Sequence, residues 1–78
     1  MDIERNLGEQ PIQGLLARHG LKPHDLVSAS PEQITHKMVA RACRGRRLTL
    51  NVQNKIRRAL NRATGQDYAL SDLFNYDP

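Results

Sequence analysis

The chain has 78 residues, a net charge of +4 and a single cysteine. From this length we expect one domain, without a second domain that senses a ligand, and a lone cysteine cannot form an internal disulfide. Its apolar runs fall far short of the roughly 20 residues that span a bilayer, and it opens without a signal-peptide pattern. We therefore expect a small cytoplasmic protein whose thiol is reduced.

The basic residues are concentrated in the middle of the chain. Residues 31–64 contain nine lysines and arginines and one acid, Glu32, whereas the rest of the chain contains three basic and seven acidic residues. A basic middle between acidic ends indicates a surface that faces a polyanion. The alternative is an arginine-rich helical surface that is merely solvated.

The N-terminal part predicts an arm and two short helices. Residues 1–10 mix charge with few apolar groups and predict a flexible arm. Pro11 suits the first turn of a helix, and Gly20 suits the end of that helix. The apolar residues between them recur at helical spacing: Ile12, Leu15 and Leu16. A second short helix is predicted over about Pro23–Ala29, with Leu26 facing inward.

The start of the third helix has two candidate caps. Residues 30–33, with the sequence Ser-Pro-Glu-Gln, match a capping box in which Ser30 is the N-cap. Thr35 is the second candidate, so the start stays open over 31–36. Gly45 suits the C-terminal end of this helix.

Residues 34–44 separate into two faces on a helical wheel at 100° per residue. One half carries Ile34, Thr35, Met38, Val39, Ala42 and Cys43. The other half carries His36, Lys37, Ala40, Arg41 and Arg44. The first half can pack on the domain, while the second presents three cations, one imidazole and one small side chain. The pattern predicts a surface helix with a cationic outer face.

The last third of the chain predicts two more helices. Thr49 suits the N-cap of a helix over about Leu50–Thr64, which Gly65 ends. A short fifth helix is predicted from about Leu70, and its apolar side either closes the core or seats a partner. The predicted fold is all-α, a compact bundle of four to five short helices over 11–75 with a tail at 76–78.

These elements resemble the helix-turn-helix domains of the phage-repressor and lac-repressor class, over about Ile12 to Phe74. The residues that carry the resemblance are Gly20-Leu21, Leu26, the run from Ile34 to Gly45, Arg46-Arg47, Leu48-Thr49, Lys55-Ile56 and Ala59-Leu60. The resemblance implies a lambda-repressor-like bundle that binds double-stranded DNA, with a recognition helix at about 34–44.

The resemblance also implies roles for individual residues. Those facing the major groove and reading bases are His36, Lys37, Ala40 and Arg41. Arg41 and Lys37 can donate to guanine O6 and N7. Phosphate contacts are expected from the start and end of the recognition helix, the following loop and the fourth helix. These residues are Thr35, Arg44, Arg46, Arg47, Asn54, Arg57 and Arg58.

Other chemistries lack a supporting pattern. The histidines and the cysteine do not show zinc-ligand spacing, and the wheel places Cys43 toward the core. Asp25 beside His24 is not accompanied by a nucleophile, and the chain has no glycine-rich phosphate loop. We therefore expect no enzyme activity, no metal, no cofactor and no small-molecule effector.

Three functional hypotheses follow. The first is a DNA-binding regulator of transcription, with a possible homodimer through Leu73, Phe74 and Tyr76. The second is RNA binding, which is less favoured because the basic segment has no aromatic residue on which bases stack. The third is a protein–protein interaction module on the same fold that has lost DNA binding, which the acidic Glu32 favours.

Overall fold

A computed structural model of the chain describes residues 7–76, and over that range it contains helices and no strand. The helices are α1 (Pro11–Arg18), α2 (Pro23–Ala29), α3 (His36–Arg44), α4 (Leu50–Thr64) and α5 (Leu70–Leu73). The predicted all-α class is confirmed. None of the helices in the described part is long and apolar enough to cross a bilayer. The first six residues of the predicted arm and the last two of the tail lie outside the described residues.

Local sequence signals explain most helix ends. Proline occupies the first turn of both α1 and α2, where its missing N–H has no helical partner to lose. The Thr49 hydroxyl accepts from the Val52 amide at 3.3 Å at the start of α4, and Gly65 ends that helix in the left-handed conformation. These ends agree with the sequence-based prediction.

The start of α3 decides between the two candidate caps. The Thr35 hydroxyl accepts from the Met38 amide at 3.1 Å and caps the helix. The capping box at Ser30 is wrong, because Ser30 instead ends α2 and its hydroxyl bonds the amide and the carbonyl of Glu32. Since α2 extends to Ala29, residues 30–35 are needed to turn the chain between the two helices.

All five helices contribute to one core, with α2 packed against both α3 and α4 and with α1 packed against α3 and α5. Its buried apolar residues are Ile12, Leu16, Leu26, Ile34, Val39, Ala42, Cys43, Ile56, Ala59, Leu60, Leu73 and Phe74. The fifth helix therefore closes the core, which is one of the two roles predicted for it. The predicted dimer surface is wrong for Leu73 and Phe74, because they are 0% and 4% exposed within the monomer.

The chain preceding α1 lies against the end of α3. The Leu7 amide donates to the Gly45 carbonyl at 2.8 Å, and the Gln10 amide donates to the Cys43 carbonyl at 3.1 Å. Gln10 is only 2% exposed, and its side-chain oxygen accepts from the Asn75 amide at 2.8 Å. Residues 7–10, which the sequence assigned to the arm, thus make hydrogen bonds to the helical body.

Candidate nucleic-acid interface

The outer side of α3 carries three exposed cations. Lys37, Arg41 and Arg44 are exposed, whereas Val39 and Ala42 on the opposite side are buried. None of the three cations has an ion-pair partner among residues 7–76. The helix is therefore held by its apolar side while its positive charge stays available to a ligand, which is the arrangement that the helical wheel predicts.

Ala40 differs in position from the other predicted base-reading residues. It is half-buried and forms part of the lining of a surface depression of about 350 Å³ between α1 and α3. Lys22 and Pro23, at the start of α2, also line this depression. Ala40 therefore forms part of the wall of this recess and is less accessible than the three cations of α3.

His36 contacts α2 instead of standing alone on the outer face. Its Nε2 lies 3.3 Å from Nδ1 of His24, and the two ring centroids are 5.4 Å apart with an angle of 15° between the ring planes. Both histidines are exposed. The sequence did not predict this pair, because its members lie on different helices and no local spacing connects them.

The α3–α4 loop extends the cationic surface. Arg46 and Arg47 are exposed, and the Arg47 guanidinium carbon lies 5.4 Å from the Tyr76 ring centroid. The Tyr76 hydroxyl donates to the Arg46 carbonyl and accepts from the Leu48 amide, each at 3.0 Å. Tyr76, predicted as part of a dimer surface, thus holds the basic loop against the C-terminal segment.

The predicted phosphate contacts on α4 are less available than those on α3. Arg58 donates from Nε and Nη2 to the two Glu32 carboxylate oxygens at 2.6 and 2.7 Å. This hydrogen-bonded contact lowers the pKa of Glu32 and raises the pKa of Arg58. Arg57 and Asn54 are half-buried and contact each other at 3.4 Å. Arg58, which the sequence assigned to a phosphate contact, is therefore already paired with Glu32.

The cysteine is located where the wheel predicts. Cys43 is 7% exposed, and burial, followed by the Glu9 carboxylate, raises the pKa of its thiol. A protonated, enclosed thiol is a poor nucleophile. Within the described part of the chain, no three or more histidine, cysteine or acidic residues form a cluster that could hold a metal ion.

The cations of α3 and those of the loop that follows it thus lie on connected elements. Arg58 differs from them because it is paired with Glu32. No known protein family, curated protein or solved structure matches the chain. The function is therefore inferred from the chemistry of this surface.

Proposed function

We propose that this chain binds double-stranded DNA and regulates transcription, using α2 and α3 as a helix-turn-helix with α3 as the recognition helix. The observation that carries the proposal is the exposed set of cations on α3 that have no ion-pair partner within residues 7–76, namely Lys37, Arg41 and Arg44. A helix fits the major groove of B-form DNA, and unpaired cations gain affinity by releasing counterions from the phosphates.

The proposal divides the basic residues into two roles. Arg41 and Lys37 lie on the exposed side of α3 and have donors suited to guanine O6 and N7. Arg44 lies in the last turn of α3, and Arg46 and Arg47 follow it in the loop. Cations at such positions suit phosphate contacts, which orient a protein on the duplex without reading its sequence.

Titration against random duplex DNA at several salt concentrations tests the binding mechanism. We expect the logarithm of the binding constant to fall linearly with the logarithm of the salt concentration, with a slope of about −0.9 for each phosphate contacted. Binding that does not weaken as salt rises would exclude the electrostatic mechanism. Structured RNA serves as the competitor, and preferential binding to it would favour the second hypothesis.

Two matched variants test the division of roles. Arg41→Ala should relax sequence preference in a selection from a random duplex pool, because it removes a base contact that contributes about 1–3 kcal/mol of discrimination. Arg46→Ala should weaken binding to all sequences similarly. Both side chains are exposed, so we expect both variants to fold. The assignment is refuted if the two variants change affinity and preference alike.

If the chain bound neither duplex DNA nor RNA, the third hypothesis, a protein–protein interaction module, would be favoured instead. Glu32 favours that function, because its carboxylate neutralises the positive charge of Arg58 near the α2–α3 turn. The titration with its RNA competitor therefore separates DNA binding from RNA binding, and a pull-down that recovers an acidic protein, combined with no binding to duplex DNA, would favour the interaction module.

A further inference from the structure

His24 and His36 bring two imidazole nitrogens together at an exposed junction of two helices. His24 lies in the first turn of α2 and His36 is the first residue of α3. The distance between His24 Nδ1 and His36 Nε2 is 3.3 Å. Nitrogens that bind Zn²⁺ lie about 2.0–2.1 Å from the metal, so two of them in a tetrahedral site are about 3.3–3.4 Å apart. The observed separation matches that of two ligands sharing one cation.

The surroundings of His24 also fit a metal ligand. Its other ring nitrogen, Nε2, lies 3.4 Å from the Ser28 hydroxyl oxygen, one turn further along α2. If Nε2 donates its proton to that oxygen, Nδ1 carries a lone pair that accepts from His36 Nε2–H in the metal-free chain. Binding of one cation by both nitrogens then requires His36 to carry its ring proton on Nδ1 instead, with the proton exchanged through water. Hydrogen bonds of this kind to the far nitrogen fix the tautomer of metal-binding histidines in proteins.

We propose that His24 and His36 form a two-histidine site for a borderline divalent transition metal such as Zn²⁺, with water completing the coordination. Neutral imidazole nitrogens are preferred ligands for this class of metal, whereas Mg²⁺ and Ca²⁺ prefer oxygen ligands. The exposure of both rings leaves an open path for the ion and room for water. The ion connects α2 to α3 across the turn at 30–35.

This site goes beyond the proposed function and does not depend on it, since both ligands are present without DNA. The sequence did not reveal it because the two histidines are 12 residues apart and on different helices. Zinc motifs recognised from sequence depend on short spacings between ligands.

Titration of the ¹⁵N-labelled full chain with Zn²⁺ alone at neutral pH tests the proposal by following the imidazole nitrogens. We expect Nδ1 of His24 and Nε2 of His36 to shift together and to saturate at one Zn²⁺ per chain. His19 is an internal control, because its Nε2 already contacts the Tyr68 hydroxyl at 2.9 Å and should not shift. A chelator should reverse the shifts.

Thermal unfolding provides a second readout. Ligands that bind the folded state preferentially raise the Tm, so Zn²⁺ should raise the Tm of the unmodified chain, and this increase should be lost in both His24→Ala and His36→Ala. The proposal is overturned if saturating Zn²⁺ shifts neither ring nitrogen, shifts only one of them, or raises the Tm of both variants as much as that of the unmodified chain. Because no DNA is present, none of these outcomes bears on duplex binding.

Discussion

Gly45 illustrates how one residue meets two requirements at the end of α3. Its φ of 85° is in the left-handed region, where a side chain costs about 1–2 kcal/mol. A Cβ at this position would also overlap the Gly8 carbonyl oxygen and lie 2.8 Å from the Gly8 nitrogen. We therefore predict that Gly45→Ala lowers the free energy of unfolding by more than the left-handed strain alone, as measured by urea denaturation.

Gly65 provides the matched control for this prediction. It ends α4 with a φ of 73°, but a Cβ there would have nothing within 4 Å. Gly65→Ala should therefore lower the free energy of unfolding only by the cost of placing a side chain in the left-handed conformation. Equal decreases in the free energy of unfolding of the two variants would show that the Gly8 backbone does not limit the space at Gly45 in solution.

The beginning of α3 depends on Thr35. Its hydroxyl satisfies the Met38 amide, one of the donors that lack a partner in the first turn. We predict that Thr35→Ala lowers the free energy of unfolding by about 1 kcal/mol and accelerates hydrogen exchange at that amide. Thr35→Ser keeps the hydroxyl and should retain most of the protection.

Ser30→Ala separates the two caps that the sequence offered. Among the described residues, the Ser30 hydroxyl bonds only to Glu32, within the turn, so its loss should leave exchange in the first turn of α3 unchanged. Faster exchange at Met38 in Ser30→Ala, together with no effect in Thr35→Ala, would contradict the observed start of the helix.

Helix positions followed from the sequence because their causes are local. Thr49, Gly65 and the prolines begin or end helices through contacts within one helical turn. The spacing of apolar residues indicates which side of a helix is buried. Whether Ser30 or Thr35 caps α3 could not be decided from the local sequence, because it depends on where α2 ends. Burial of Gln10 was missed for the same reason: its partner Asn75 is distant in sequence.

The cationic side of α3 was predictable from the sequence, and its electrostatic neighbours were not. Lys37 and Arg41 are exposed as the wheel indicates, since an amphipathic period is enough to fix the side that they occupy. Arg58 was also predicted from the sequence to contact phosphate. Its pairing with Glu32 joins residues 26 positions apart and arises only when the α2–α3 turn packs beside α4.

This ion pair leads to a prediction about DNA binding. Glu32→Ala removes both acceptor oxygens from Arg58 and leaves that guanidinium free to contact a phosphate. We expect tighter binding to duplex DNA, and a salt dependence steeper by about 0.9, the contribution of one further phosphate contact. The measurement is the slope of the logarithm of the binding constant against the logarithm of salt concentration.

Two controls separate release of Arg58 from a general gain in positive charge. Asp67→Ala removes the same charge from an exposed position, so long-range attraction should rise without a new contact and the slope should change little. Adding Arg58→Ala to Glu32→Ala should return the slope to that of the unmodified chain. If Glu32→Ala leaves the slope unchanged, Arg58 lies away from the duplex and DNA binding is restricted to α3 and its loop, because an unpaired cation that faces phosphate must release counterions.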